Sequence, residues 1–393
     1  MDSSWRYFGI LLVLLACGLL VGARAADEPN PATQSSPSAG QSVAELLPSR
    51  LPPGRRAIVA VLALNEGTET TDFLVPHALL KRSGVADVEA VALRRGPVEL
   101  MPALRIAIEQ DLQDFDRRYP AGADIVIVPA LHDDAEPQVL AWLRQQAARG
   151  ALMVGICSGT RVLGQAGLLE GRSFTGHWFD RDSLLRRHRG AMHMPDRRFW
   201  RDGPVLSTTG VSASLTVSIA LVEALGGRER AAPLAAELGL ADWSERHNSA
   251  PFGLRQSPLL TVAANWLMRW RHESLQLPVE PGSDDVTVAL IADAWSRSYR
   301  SEVQAVALNG APQALRLRSG IQLLAAQPQG GQNDGRWLRW HDGKPVAQLR
   351  EQLCMIEARY GAATRRWVAM QMEDESGLNL DCAYQHVATL QAR

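Results

Sequence analysis

The chain has 393 residues, 46% of them hydrophobic, with 41 Lys and Arg against 42 Asp and Glu and a formal net charge of −1. That length accommodates two domains of ordinary size, and the apolar share is enough for globular cores. The near-neutral balance excludes a protein that works by laying a strongly basic surface on nucleic acid.

Residues 1–25 read as a leader. Arg6 precedes an apolar run from Tyr7 to Val21, and Ala23-Arg24-Ala25 is a small-x-small cleavage site. The run is short for a membrane span, which favours a secretory signal over an uncleaved anchor. A third alternative lies inside it, since Leu14-Leu15-Ala16-Cys17 resembles a bacterial lipoprotein box with lipid carried on Cys17. Each alternative exports the body of the protein to the periplasm, and two of them attach it to the membrane through the N-terminus. Residues 26–54, rich in Pro, Ser, Gln, Ala and Gly, read as a disordered tether.

The first domain, 55–255, alternates strands with helices. Ala57–Leu64 is a β run, followed by a turn at Gly67 and helical spacing from Asp72 to Arg82. Val88–Leu93 and Asp124–Pro129 are further strands, Pro137–Arg149 is a helix, and Ala151–Ile156 is a short apolar strand. The alternation predicts an α/β fold, a parallel sheet with helices on both faces. Sites in such sheets lie at the carboxyl ends of the strands.

Cys157 stands at such an end. An apolar strand, then Cys157-Ser158-Gly159, then a helix-patterned segment ending at Gly167 make a nucleophile elbow. A thiol at that apex sits over the first free N–H groups of a helix, which favour thiolate. The backbone N–H of Ser158 is placed to donate to an oxyanion, and Gly155 and Gly159 relieve crowding in so tight a turn. The alternative is a buried structural cysteine at a strand end.

Four motifs carry a resemblance: GTETTDFLVP (67–76), DIVIVP (124–129), GICSGTRVLGQAGLLEGRSFTGHW (155–178) and LSTTGVSASLTVSIALVEALGG (206–227). Together they resemble the ThiJ/PfpI family of the class I glutamine-amidotransferase-like superfamily, in particular the amidase-like domain of AraC-type regulators and isonitrile hydratases. The resemblance implies a flavodoxin-like sheet and hydrolase or hydratase chemistry on a small carbonyl, amide or isonitrile-like substrate, a chemistry that needs no cofactor. It also implies that the acidic residue four before the proline of the first motif, here Asp72, reaches the thiol as its proton partner. A carboxyl touching a thiolate titrates with it as a coupled pair. The alternative for Asp72 is the N-cap of the following helix, and Glu69 is a weaker substitute for its role. His177 occupies the family's T-x-H position, either orienting a base, pairing with a partner subunit or serving structure alone. The side chain of Ser158 is expected at the substrate.

The chain departs from the family pattern after DIVIVP, where a Gly-Gly pair usually supplies half of the oxyanion hole and Ala130-Leu131-His132 stands instead. Backbone N–H groups survive that change, but a glycine-only backbone angle does not. His132 is new at this rim and stands either as a substitute donor or as an exposed loop residue. Ala213-Ser214-Leu215-Thr216 likewise replaces a more usual Ala-Gly-Ile-Asp.

Residues 256–283 read as an apolar, Trp-bearing helix (261–270) and a linker (277–285). No helix pair with helix-turn-helix spacing follows, so a nucleic-acid partner is not expected. Residues 284–375 read as a degenerate partial repeat: Val88–Leu93 (VEAVAL) is echoed by Val303–Leu308 (VQAVAL), Pro97 by Pro312, and Val222–Gly227 by Ile356–Gly361. Val286–Ile291 would then stand where Ile58–Leu62 stands. The copy lacks an elbow and is read as structural, making the molecule an internal pseudo-dimer; the alternatives are chance likeness and a homodimer. Trp337 and Trp340 beside Arg336 and Arg339 fit either a cation–π surface or packing. In the tail, 376–393, Cys382 is either bridged to Cys354 or free; bridging leaves Cys157 as the odd thiol. No His/Cys/Asp/Glu set has metal-ligand spacing.

Two functions from different classes follow. One is a cysteine-dependent hydrolase or hydratase with Cys157 as nucleophile and Asp72 as proton partner. The other is a small-molecule-binding or redox-sensing module.

Overall fold

The computed structural model describes residues 41–48, 51–52, 54–253, 265, 267, 269–308, 312–330 and 335–382. The leader with Cys17, the tether as far as residue 40, most of the helix expected over 261–270 and residues 383–393 lie outside the described residues.

The first half runs β1 (Ala57–Ala63), β2 (Thr68–Glu69), α1 (Thr70–Ser83), β3 (Ala86–Ala92), β4 (Gly96–Met101), β5 (Arg105–Ile108), α2 (Leu112–Arg118), β6 (Ile125–Val128), α3 (Pro137–Ala148), β7 (Leu152–Gly155), α4 (Gly159–Gln165), β8 (Ser173–Phe174), α5 (Arg181–Arg187), β9 (Met192–His193), β10 (Phe199–Asp202), β11 (Val205–Thr208), α6 (Ala213–Gly226) and α7 (Arg228–Leu238). Six strands form one sheet in the order β10-β11-β7-β6-β1-β3, parallel except where β10 meets β11. Every residue of β6 and of β7 is buried, as expected for strands covered on both faces. Along β1, Val59, Val61 and Ala63 enter one core while Ala60 and Leu62 enter the other. The period of two thus feeds two helical layers. The α/β class and flavodoxin-like layering expected from the sequence are what the structure has.

The second half runs β12 (Glu273–Val279), α8 (Asp285–Ser296), β13 (Ser301–Ala307), β14 (Ala314–Arg316), β15 (Gln322–Leu324), α9 (Pro345–Tyr360), α10 (Ala362–Gln371) and α11 (Glu375–Leu378). Its opening order matches β1, α1, β3, β4 and β5, and α9 and α10 match α6 and α7. β12 and β13 pair in parallel as β1 and β3 do. Gly227 (φ 79°, ψ 166°) and Gly361 (φ 90°, ψ 159°) join their helix pairs in nearly the same left-handed conformation, which a side chain would strain.

Three expectations are corrected. Val286–Ile291 is helical, inside α8, and the strand standing where β1 stands is β12, which starts ahead of the expected linker and runs into it. All twelve residues of α8 are buried; a helix apolar all round loses its amphipathic period and imitates a buried strand. Residues 41–48, expected within the disordered tether, are ordered. A 3-10 turn spans Val43–Leu46, with Leu46 buried, and Gln41 exchanges hydrogen bonds with the Arg201 backbone at 2.6 and 2.8 Å.

The halves share a core and a sheet. β15 pairs antiparallel with β5, giving the strand order β14-β15-β5-β4-β2. α1 and α8 run antiparallel, because Arg82 at the end of α1 pairs with Asp284 ahead of α8 at 2.6 Å while Arg297 after α8 pairs with Glu69 ahead of α1 at 2.7 Å. The sequence spacing that sets Val88 against Val303 also sets Glu69 against Asp284 and Arg82 against Arg297. The two ion pairs are therefore reciprocal, the signature of a two-fold interface. Trp340 packs against the shared core, its indole N–H donating to Pro278 O at 2.9 Å.

Candidate active site

The centre forms where β1, β6 and β7 end. Cys157 follows β7 with φ 53°, a left-handed angle rare for a side-chain-bearing residue and costing about 1–2 kcal/mol. Its N–H is fixed by Thr208 Oγ1 at 3.1 Å. The elbow is tight enough to dictate its glycines by space rather than by angle. A Cβ on Gly159 would lie 1.9 Å from Val128 O, and one on Gly155 would lie 2.9 Å from Thr160 N.

Asp72 sits in the first turn of α1, fully buried. The N-cap is Glu69, whose Oε2 accepts from Asp72 N at 2.5 Å, so the capping alternative for Asp72 is ruled out. Asp72 Oδ2 accepts from Ala130 N at 3.2 Å, while Oδ1 has no hydrogen-bond partner among the described residues. A buried carboxylate oxygen without a donor is costly, and the group responds by holding its proton. Burial pushes the Asp72 carboxyl up to about 7, against the opposing pull of Ala130 N–H, Glu69 and Arg297. Glu69 is likewise raised, by burial first and then by the Asp72 and Asp293 charges.

The second half, expected to be purely structural, reaches this centre. Arg297 binds Glu69 Oε1 at 2.7 Å and Asp293 Oδ1 at 2.6 Å, and Asp293 Oδ2 accepts from Thr71 Oγ1 at 3.0 Å. Burial works against the Arg297 charge, but the two carboxylates more than offset it. Neither Asp293 nor Arg297 was identified from sequence. The available signal was a charged pair at i,i+4 closing an otherwise apolar run.

The thiol is not the thiolate expected at an elbow. Burial pushes Cys157 up, and the Asp72 and Glu69 carboxyls push it further. The helix behind it has only seven residues, and its N-terminal field does not outweigh two acids. Cys157 and Asp72 therefore form a centre in which burial raises both the thiol and the carboxyl, and the Asp72 charge acts on the thiol.

The backbone of the oxyanion region is unstrained. Ala130, Leu131 and His132 lack positive φ, so losing the glycine pair costs no left-handed angle. Ala130 N–H is, however, spent on Asp72. The N–H groups of Ser158 and Leu131 have no acceptor among the described residues and are the donors available to an anion. His132 is an exposed rim residue held by its backbone, N–H to Gly67 O at 2.9 Å. The Ser158 hydroxyl, expected at the substrate, donates to buried Asp180, which Arg161 approaches at 3.4 Å. His177 is engaged at both nitrogens: Nδ1 accepts from Phe179 N at 3.2 Å, and Nε2 therefore donates to Gln371 O at 3.0 Å. It clamps the second half and is no free base. The hydroxyls of Ser214 and Thr216 are turned back onto Val211 O and Ala213 O.

Cys354 and Cys382 are bonded, tying α9 to the segment after α11 and leaving Cys157 as the free cysteine of the described chain. Among the described residues no group of three His, Cys, Asp or Glu side chains is placed to hold a metal, and no helix is long and apolar enough to cross a membrane.

Residues 57–224 match the DJ-1/PfpI family. The chain is 28% identical to Parkinson disease protein 7 homolog of Danio rerio over 194 residues, 48% of this chain and 99% of that protein. It is 35% identical to isonitrile hydratase of Pseudomonas putida over 112 residues, covering 28% of this chain and 46% of that one. Among solved structures, Drosophila melanogaster DJ-1beta aligns at 22% identity with a TM-score of 0.43, over 48% of this chain and 100% of that chain.

Proposed function

We propose that this chain, whose residues 57–224 are a DJ-1/PfpI family domain, is a cysteine-dependent hydrolase or hydratase for a small carbonyl, amide or isonitrile-type substrate. The observation that carries the reading is the left-handed Cys157 elbow beside the buried Asp72 carboxyl, with the Ser158 N–H unspent. Sulfur attacks the electrophilic carbon as its proton passes to Asp72, which near neutrality accepts a proton and can return it. On a carbonyl, the electrons displaced onto oxygen are held by Ser158 N–H. For an amide, the Asp72 proton leaves with the amine and water then cleaves the thioester. For an isonitrile, the proton completes a thioimidate, which water converts to a formamide with release of the thiol. Arg297 acts as a positioning residue, holding Glu69 and so the first turn of α1.

The second half is the relic of a partner subunit, which supplies in one chain what a two-fold dimer would supply in two. Asp284 and Thr287 stand at its positions for Glu69 and Asp72, so it carries the cap but not the proton partner. The leader reading makes the protein exported and held at the membrane or released into the periplasm. The Cys354–Cys382 bond supports an oxidising compartment.

The test is turnover across an acyl, amide and isonitrile panel. Cys157→Ser should abolish it while keeping ligand binding, and Asp72→Asn should lower kcat by about 10²–10⁴. The burial of Cys157, 6% exposed, favours the second reading, a ligand-binding or redox-sensing module. A wild type that binds members of the panel and turns none over would establish that reading instead.

A further inference from the structure

Glu373 comes from the second half, in the turn between α10 and α11, yet both of its carboxylate oxygens are spent on the first. Oε1 accepts from Trp178 N–H at 2.9 Å and Oε2 accepts from Gly210 N–H. The side chain is 2% exposed, and its backbone is left-handed with φ 50°. The surrounding segment is gripped from the same side. Trp178 Nε1 donates to Met370 O at 2.9 Å, Ser212 N to Met372 O at 2.9 Å, and Ser212 Oγ to Glu373 O at 2.7 Å. Gly210 approaches so closely that a Cβ there would meet Glu373 Cβ at 2.9 Å.

The two donors flank the elbow. Trp178 lies two residues before Asp180, which takes the Ser158 hydroxyl, and Gly210 lies two after Thr208, which takes the Cys157 N–H. Between them Thr209 is 3% exposed, and its hydroxyl has no partner among the described residues. Arg198 adds positive charge to this neighbourhood, with Nη1 3.5 Å from Ser212 Oγ. Two converging backbone N–H groups with a guanidinium nearby make a cradle suited to carboxylate.

We propose that Trp178 N–H and Gly210 N–H, beside the buried Thr209 hydroxyl, form a carboxylate-binding subsite of the Cys157 centre. In the resting protein Glu373 occupies it and closes the mouth, and a small carboxylate-bearing ligand takes its place. The proposal rests on the cysteine reading only for one of its two readouts.

The experiment compares wild type, Glu373→Ala and Glu373→Gln, with acetate as the probe. Iodoacetamide modification of Cys157, mapped by mass spectrometry, should be about tenfold faster in Glu373→Ala, the loss of a charge-assisted contact. Acetate should slow it again and raise the melting temperature of Glu373→Ala while leaving wild type unchanged. Glu373→Gln keeps the side-chain length and one acceptor, so it should gain about threefold. Should Glu373→Ala not fold, Glu373→Gln is read in its place. Wild-type modification rates in both variants with no acetate-dependent stabilisation would overturn the proposal. Stabilisation by acetate with a thiol inert in every variant would uphold the subsite and sink the nucleophile.

Discussion

Replacing Arg297 with Met removes the cation on which the buried acids depend. Its guanidinium meets Glu69 at 2.7 Å and Asp293 at 2.6 Å, with side-chain exposures of 16%, 7% and 0% for the three groups. Removing one partner of a buried pair costs about 3–5 kcal/mol, because the carboxylates stay behind uncompensated. Glu69 can escape that cost by taking up a proton. Glu69 already lies well above its ordinary range through burial and the charges of Asp72 and Asp293, and without Arg297 it should rise further. An acid raised in the fold binds more protons folded than unfolded. Its stabilising share is complete below the unfolded carboxylate value of about 4 and is lost as pH climbs through the folded value. Urea unfolding of Arg297→Met should therefore show most of the loss at pH 8 and much less at pH 5. Adding Glu69→Gln should restore part of it. A loss below about 1 kcal/mol, equal at both pH values, is what a solvent-screened pair gives and would refute the reasoning.

Gly159→Ala should destabilise by about 3 kcal/mol or more or prevent folding, read by thermal melts, since its Cβ would fall 1.9 Å from Val128 O. Asp72→Asn should flatten the pH dependence of stability. Wild type loses stability from about pH 4 to 7 as the raised Asp72 ionises, and the variant should gain on it by about 2–4 kcal/mol across that window in urea titrations. Cys354→Ser should cost about 2–4 kcal/mol under oxidising conditions and nothing further in reductant, checked by paired melts.

What the sequence made legible was local. Strands such as IVIV and LMVG are short apolar runs because both faces are covered, and the elbow announces itself as strand, cysteine and small residues in succession. Glu69 caps α1 and Asp72 lies in its first turn, so one motif held both. Arg297 and Asp293 were missed because their role exists only once two halves far apart in sequence pack α8 against α1. β12 was missed because Pro278 and a leading Glu273 weaken its strand pattern, and it sits in a two-stranded sheet where proline is tolerated. The thiolate expectation failed on tertiary grounds: the helix field is local, whereas burial and the acids are supplied by the assembled site.

The pH dependence of Cys157 alkylation in wild type and Asp72→Asn tests the central claim most directly. The account predicts a wild-type midpoint above the free-thiol value of about 8.5 and a downward shift in Asp72→Asn, as the neighbouring charge disappears. A midpoint that Asp72→Asn leaves unmoved would contradict the coupling of thiol and carboxyl on which the proposed chemistry stands.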